Sequence, residues 1–477
     1  MASANPGVRL GLYVAALSLL LLAIGLTRSL VQDRAAFARG SVLDFNVVYC
    51  GVRVVLEHGD PYRTEPLRSC ERSVEPARTP AWSVTPMPLP GYALLAFGPL
   101  GLLPYGVAKV LWMFAVLGSL LVSAWTMARL LRLPFAIVLV LFAPALGVLN
   151  FAYGEPVPLA IAALCLGALA LESDRPRAAA LCTCAALVEP HVGLAALVGL
   201  AVLEPRSRAT IAAGVVLLGI GSLAFLGVAE NVEYVTAFLP AQVAAETVAN
   251  DQYSLTHVLA LIGVPAALAS RIGSAQYLAF VAFGVFIAGR VRVAGAQKAA
   301  AILVPVVPAM LGGLFVHDVE IAAALPGALL VAMQAGSFAE FGAAGLLLLV
   351  FPWSALVWGS KTFEAAMLLA VATGVLVFVR RMPLAQRIAL AVALPLACGL
   401  AARAAFATAP ARGDQSGAPN LPAGNPLSPL VWGMRIRASD GWSREDSTTF
   451  LIKVPWWLGL KAVSVAALFA RGTRRSG

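Results

Sequence analysis

Long apolar runs separated by short polar islands repeat along almost the whole chain. Many of these runs are about 16 to 25 residues long, enough for a helix to cross a hydrocarbon core about 30 Å thick. The runs lack the strict apolar and polar alternation that a membrane β-barrel needs. The pattern therefore predicts an all-α polytopic membrane protein with about eleven to fourteen spans.

One run, at 178–203, is interrupted by Glu189-Pro190-His191, with arginines on both sides. A single crossing would place those arginines on opposite faces, so we expect two short helices that reach one face and return. The run at 8–30 is longer than the apolar core of a signal peptide and lacks a small-residue cleavage site, which predicts an uncleaved first span. The remaining expected spans lie near 89–103, 107–127, 135–149, 156–171, 211–228, 258–268, 277–287, 299–315, 321–333, 343–358, 365–379, 388–404 and 457–470. Alternation fails near 100–132 and 271–298, so one short segment in each is expected to be re-entrant or surface-lying.

The pattern divides the chain into three parts. Residues 1–404 form the expected multi-span bundle, with a first outer loop at 31–85 that carries a surface helix at 46–57. Residues 405–453 form a polar outer loop, and 454–477 form a final helix with a basic tail. The loop at 405–453 reads as a loosely ordered surface segment, although its Trp432, Trp442, Arg435, Arg437 and Arg444 offer stacking and charge for an acceptor.

Composition changes how the charge is interpreted. The chain is 60% hydrophobic and 12% charged, which excludes a soluble domain of this length, and its net charge is +10. The excess of Lys and Arg falls between apolar runs, as at Arg129, Arg175, Arg206 and Arg290, and predicts cytoplasmic loops rather than a nucleic-acid partner. The polar islands then face outward, toward a periplasm if the membrane is a bacterial plasma membrane. In the first outer loop, the sequence leaves open whether Cys50 and Cys70 form a disulfide or remain free thiols. The other cysteines are interpreted as small buried side chains.

Four polar islands are predicted to share the outer face. They contain Asp44 to Tyr62, Glu155, Glu189 with His191, and His317 with Asp318. Ionisable groups at membrane depth are costly and are functional candidates by default. Simpler interpretations stand beside each: Asp44 as a helix N-cap, Glu155 as a turn residue, and His317 with Asp318 as a local pair.

A series of short motifs runs in order through about the first 330 residues. The series comprises Asp44-x-x-x-x-Tyr49, Gly59-Asp60-Pro61-Tyr62, Pro86-Met87-Pro88-Leu89, Gly98-Pro99-Leu100 to Pro104-Tyr105, Asn150 with Gly154-Glu155, Asn250-Asp251-Gln252-Tyr253-Ser254-Leu255, and His317-Asp318. This series resembles glycosyltransferase family 87, the polyprenyl-phosphate-mannose-dependent mannosyltransferases of the GT-C class. One departure is Glu189-Pro190, where that family commonly has Lys-Pro.

The resemblance implies a GT-C-type transmembrane helix bundle whose first outer loop carries a catalytic acid, Asp44. It implies transfer of a sugar, mannose above others, from a polyprenyl phosphate to a glycan or glycolipid acceptor. A carboxylate suits this chemistry because a base must take the proton of the attacking hydroxyl. The expected substrate-binding residues are Tyr49, Arg53, Asp60, Tyr62, Glu155, Glu189, His191, His257, His317 and Asp318, of which Arg53 and the three histidines are candidates to offset the phosphate charge.

Two other functions remain open. A transporter or flippase of lipid-linked sugars would use the same charges, but internal repeats are not evident between the halves of the chain. A catalytically inactive relative acting as an accessory subunit is suggested by Glu189. No cofactor is expected, and a metal is not indicated because the sequence has no Asp-x-Asp pair. If a divalent ion is used, Asp44, Asp60 and Glu155 are the expected positions.

Overall fold

The computed structural model describes residues 43–74, 82–247, 249, 252–293, 297–350, 424–439 and 453–470, together with single positions at 12, 16, 19, 20, 384, 385 and 388. Most of the expected first span, the spans at 365–379 and 388–404, and most of the 405–453 loop lie outside the described residues. Asn250, Asp251, Trp442 and Arg444 lie outside them as well.

The described residues are helical and contain no β-strand, which confirms the all-α prediction. Up to the end of the broken run the helices are α1 (Leu43–Leu56), α2 (Thr64–Val74), α3 (Gly91–Gly101), α4 (Tyr105–Leu131), α5 (Phe135–Phe142, continued by a π-helical segment, Ala143–Leu149, and the turn Asn150–Tyr153), α6 (Val157–Glu172), α7 (Pro176–Ala185) and α8 (Pro190–Leu203). They continue with α9 (Arg208–Leu226), α10 (Val228–Glu233), α11 (Leu239–Glu246), α12 (Leu255–Leu261), α13 (Ala266–Val293), α14 (Ala300–Ala309), α15 (Asp318–Ile321), α16 (Leu325–Gln334), α17 (Ala339–Val350), α18 (Ser428–Ser439) and α19 (Lys453–Leu468).

Three helices among the described residues are long and apolar enough to cross a membrane: Tyr105–Leu131, Pro205–Leu226 and Ala266–Val293. Shorter apolar helices pack with them. One flank of α4 exposes Val107, Leu111, Phe114 and Leu121. Because water would penalise such a surface, this flank is the one that faces lipid.

Helices α7 and α8 form a hairpin, as the interrupted run predicts. The chain breaks at Glu189, which is extended, and Pro190 begins α8. At the other end of the pair, Asp174 before α7 accepts a hydrogen bond from Arg206 after α8, at 2.9 Å. The start of α7 and the end of α8 therefore lie together, and Glu189 lies at the apex, at the opposite end of the hairpin.

The end of the bundle opposite this apex is rich in basic residues. Besides Arg206, Lys298 bonds Asp174 at 3.0 Å, and Arg292 donates to the Leu203 carbonyl at 2.6 Å. The hydrogen bonds from Arg206 and Lys298 lower the pKa of Asp174 to about 2. We call the end of the bundle that contains Arg206, Arg292 and Lys298 the basic end, and the end that contains the hairpin apex the acidic end.

Two expected spans are corrected. The run at 89–103 forms α3, which is only 11 residues long. It starts against Leu226 at the acidic end of α9 and leads directly into α4, which begins at that same end. The run at 258–268 is split at Gly263, whose φ is 91°, so α12 stops there and α13 alone crosses. When α3 is not counted as a crossing, the spans alternate near 100–132. When α12 is not counted as a crossing, they alternate near 271–298.

The first polar loop is held in place by three connections. Cys50 in α1 and Cys70 in α2 form a disulfide. Ser428 donates its backbone N–H to the Tyr62 carbonyl at 2.9 Å, and Thr64 likewise bonds Pro426 at 2.9 Å. The segment 424–439, expected to be loosely ordered, is therefore docked on the first loop.

Glu71 is buried in this loop and gives a prediction of pH dependence. Burial raises the pKa of Glu71 to about 8, while the Thr85 N–H and Arg435 act in the opposite direction. The folded chain thus holds the Glu71 proton more tightly than the unfolded chain. Its contribution to stability is expected to be complete below about pH 4.5, the ordinary pKa, and lost as the pH rises toward about 8.

The test is Glu71→Gln, which keeps an oxygen acceptor for Thr85. The variant is expected to unfold at a nearly constant temperature over this pH range and to be more stable than the wild type at its alkaline end. Thermal unfolding in detergent measures this. Glu57→Gln removes an exposed carboxylate directly after α1 and serves as the control. Parallel pH profiles for wild type and Glu71→Gln would contradict the prediction.

Candidate functional site

A row of alternating acids and imidazoles lies at the acidic end. His317 Nε2 is 3.5 Å from Glu246 Oε2, and His317 Nδ1 is 3.6 Å from Glu320 Oε1. On the other side of Glu320, Oε2 is 3.3 Å from His191 Nε2, whose ring is 4.0 Å from Glu189 through Nδ1. We call these five residues the acid–imidazole row.

Local sequence explains how the helices deliver the row. Pro190 starts α8 and so places Glu189 and His191 at the hairpin apex. His317 is the N-cap of α15, and its backbone N–H donates to Glu320 Oε2 at 2.8 Å in a capping box. Gln252 joins the row to its neighbours, since its Nε2 donates to Glu246 Oε2 at 2.9 Å and lies 2.7 Å from His317 Nε2.

Asp44 and Glu155 lie beside this row. Asp44 is in the first turn of α1 and partly exposed, and Glu155 is in the turn between α5 and α6. Desolvation raises the pKa of Glu155, and the negative charges of Asp44 and Glu189 add to the effect, whereas His317 opposes it. The four polar islands of the sequence therefore meet in one site.

Aromatic side chains fix the position of Asp44. Next to it, Phe45 stacks on Trp112 with ring centroids 5.3 Å apart. Tyr105 donates its hydroxyl to Asn46, and Tyr49 donates to the Leu103 carbonyl at 2.9 Å. Trp112 in turn donates its indole N–H to the Gly154 carbonyl at 2.7 Å, next to Glu155. One aromatic cluster thus positions both carboxylates.

Other predicted site residues have structural partners elsewhere. Arg53 is exposed and pairs with Glu57 at 2.6 Å. It lies nine residues after Asp44 on α1, which is about 13 Å along the helix axis. Asp60 accepts the Tyr62 N–H at 2.8 Å, and buried Tyr62 donates to the Leu89 carbonyl at 3.2 Å. The structure therefore places these three residues in contacts within the first loop and with Leu89.

His257 and Asp318 are buried next to the site. His257 Nε2 is 3.2 Å from Nζ of Lys453, which is fully buried at the start of α19. Asp318 directly follows His317, and its Oδ1 accepts the Val319 N–H at 2.9 Å. Lys453 therefore brings the last described helix close to the polar end.

The sequence analysis did not name Glu246, Glu320 or Lys453 as site residues, and it named Gln252 only within a motif. A signal was present for Glu320, because it stands three residues after His317 at the start of an apolar run. In the structure Glu320 is only 6% exposed. Glu246 also receives the indole N–H of Trp432 at 3.0 Å, so the docked segment 424–439 reaches the row. Trp432 is the part of the expected acceptor-contacting loop that the structure brings to the site.

An apolar groove of about 340 Å³ ends next to the apex. Leu111, which lines it, is 46% exposed on the lipid-facing flank of α4. Val188, the residue before Glu189, lines it as well. The groove is lined chiefly by Phe97, Leu100, Leu111, Trp112, Leu159 and Val188. An apolar chain lying in it would present a polar end to the acidic end of the bundle.

The fold and site together define a helical membrane protein with ionisable groups gathered at one end and an apolar groove leading to them. Residues 90–317 match the model of glycosyltransferase family 87, slightly less than half of the chain. This match indicates a membrane glycosyltransferase. It includes Glu155, Glu189, His191 and His317, whereas Asp44 precedes the matched segment. No curated protein and no solved structure matches the chain.

Proposed function

We propose that the chain transfers mannose from a polyprenyl-phosphate donor to a glycan or glycolipid acceptor at the outer face of a bacterial plasma membrane. The observation that carries this proposal is the groove, because its lining includes both Leu111 on the lipid-facing flank and Val188, the neighbour of Glu189 in the cluster of acids and imidazoles. A donor with an apolar chain and a charged head fits both parts. The family match supplies the reaction class.

In this mechanism Asp44 is the base. Its carboxylate takes the proton of the acceptor hydroxyl as the hydroxyl oxygen attacks the anomeric carbon of the sugar. The bond from that carbon to the phosphate oxygen breaks, and the polyprenyl phosphate leaves with the electron pair. Attack from the opposite face inverts the anomeric configuration. Asp44 suits this role because it is partly exposed, where a water-borne acceptor can approach.

The leaving phosphate is proposed to lie against the acid–imidazole row. Protonated His191 and His317 are the nearby groups that can balance its charge, and each already pairs with Glu320. The isoprene units next to the phosphate would occupy the apolar groove. Trp432, bound to Glu246, is proposed to border the acceptor side.

The distribution of charge supports the orientation. Arg206, Arg292 and Lys298 lie at the basic end, and such residues concentrate on the cytoplasmic side of membrane proteins. The acidic end would then face outward. A Cys50–Cys70 disulfide in the first loop agrees with an oxidising compartment on that side.

The test uses the purified chain reconstituted into vesicles with host membrane extract as acceptor. Synthetic polyprenyl-phosphate mannose with labelled sugar is supplied, and label is counted in lipid and glycan fractions. We expect transfer that vesicles without the chain do not show. The matched control donor is polyprenyl-phosphate glucose.

Each other outcome identifies what is wrong. Label from the glucose donor alone would retain the lipid-linked donor but exclude mannose. Donor that crosses the bilayer without transfer would favour a flippase. No transfer from either donor, with a folded chain, would favour a non-catalytic relative.

A further inference from the structure

Three side chains of the row converge more closely than the rest. Single ligand atoms of Glu189, His191 and Glu320 all lie within 4.8 Å of one another. Two of these residues come from the hairpin apex and one from α15, so the chain segments are far apart in sequence. Asp44, Asp60 and Glu155, where a divalent ion was expected if one is used, do not belong to this set.

Glu189 is the reason to look for a missing partner. It is 5% exposed, and among the described residues no hydrogen-bond donor reaches its carboxylate. The nearest cationic group is His191 Nδ1 at 4.0 Å, beyond hydrogen-bonding distance. A carboxylate with so little exposure next to the second carboxylate of Glu320 is costly, and a bound cation would offset both negative charges.

His191 gives a second, independent indication. Its Nε2 is buried without a hydrogen-bond partner, although Glu320 Oε2 is 3.3 Å away. The two atoms are near each other but not aligned as donor and acceptor. The imidazole thus lies between the carboxylates of Glu189 and Glu320, and its Nε2 is a buried ligand atom without a hydrogen-bond partner among the described residues.

We infer that Glu189, His191 and Glu320 bind one divalent first-row cation of the Mn²⁺ type. One imidazole nitrogen and two carboxylates suit such an ion, whereas Mg²⁺ and Ca²⁺ favour oxygen ligands alone. Adjacent ligands about 2.1 Å from one ion are about 3.0 to 3.4 Å apart. The Glu320–His191 distance of 3.3 Å already fits, and Glu189 needs to move closer by up to about 1.5 Å.

The role of this ion rests on the proposed function, whereas its binding does not. Three protein ligands leave coordination positions open, and a phosphate oxygen of the lipid donor can occupy one of them. The cation would take the place of the His191 proton in the proposed function, because a ligating imidazole is neutral. It would also offset Glu189 and Glu320, whose negative charges otherwise repel a phosphate at the end of the groove. It would thus make an acidic apex compatible with an anionic lipid.

Binding is measured on the full chain in detergent after treatment with a chelator. Mn²⁺ is titrated in, and free Mn²⁺ is followed by electron paramagnetic resonance. We expect one ion per chain and a thermal unfolding midpoint that rises with Mn²⁺ concentration. Glu189→Gln and Glu320→Gln are expected to weaken binding by about tenfold or more.

Glu204→Gln is the matched control, because Glu204 is equally buried at the basic end and pairs with Arg206. It should bind Mn²⁺ as the wild type does. No saturable binding to folded wild type would overturn the inference, as would equal binding by both glutamine variants of the row. Mn²⁺ binding without sugar transfer would retain the site and remove the proposed function. Transfer that is insensitive to chelation, by a chain that binds no Mn²⁺, would do the reverse.

Discussion

Replacing Asp44 by asparagine is expected to lower the rate of sugar transfer by about 10²- to 10⁴-fold, the usual contribution of a general base. Asparagine is the informative substitution because Asp44 lies in the first turn of α1, where it also stabilises the helix start. Asparagine has nearly the same shape as aspartate and also accepts hydrogen bonds at the helix start, but it cannot act as the base that takes the proton. The variant therefore separates the two interpretations of this residue. Transfer is measured in vesicles with saturating donor.

Two companion variants make the result specific. Asp44→Glu keeps the carboxylate one methylene farther out and should retain more activity than Asp44→Asn. Asp174→Asn removes a carboxylate at the basic end, where its partners are Arg206 and Lys298, and should transfer sugar like the wild type. If Asp44→Asn transfers normally, Asp44 serves as a cap and Glu155 becomes the next candidate base.

The position of Asp44 illustrates what the sequence can predict. Apolar runs fix the number of membrane crossings between polar islands, so islands separated by an even number of crossings must lie at the same end. That argument correctly brings Asp44, Glu155, Glu189 and His317 together. It needs no side-chain detail, because the membrane imposes the alternation.

The same argument fails where a run is apolar but does not cross. Run length alone cannot distinguish α3 from a spanning helix, since both are buried among apolar neighbours. Only the packing of Gly91 against Leu226 and of Gly101 against Val52 shows that α3 stays at the acidic end. The hairpin was predictable because its arginines and the central Glu189-Pro190 contradict a single crossing.

Proximity within a loop was also a poor guide to the site. Arg53, Asp60 and Tyr62 follow Asp44 closely in sequence, yet helix α1 carries the chain away before they occur. Glu320 and Glu246 stand alone in apolar surroundings and gain meaning only when folding brings them to His191 and His317. Sequence spacing cannot show contacts made between distant helices.

The hairpin apex itself gives the second large effect. Replacing Gly193 by alanine is expected to destabilise the folded chain by about 1–3 kcal/mol, the usual cost of overpacking. A Cβ at Gly193 would lie 2.6 Å from the carbonyl carbon and oxygen of Ala186 and from the Leu187 nitrogen. These are backbone atoms of the 3-10 segment Ala186–Val188 that joins α7 to the apex, and they cannot rotate away, so this segment and α8 must separate. The unfolding temperature in detergent should fall.

Gly219→Ala is the matched control. Gly219 lies within α9, and a Cβ there meets no atom within 4 Å. Alanine is the better helix former by about 1 kcal/mol, so this variant should be as stable as the wild type or more stable. The two substitutions are chemically identical and differ only in what surrounds the added methyl group. If Gly193→Ala is as stable as Gly219→Ala, the close approach of α7 to α8 is wrong. If it is destabilised and also loses Mn²⁺ binding, the separation of the two helices has moved Glu189 and His191 away from Glu320.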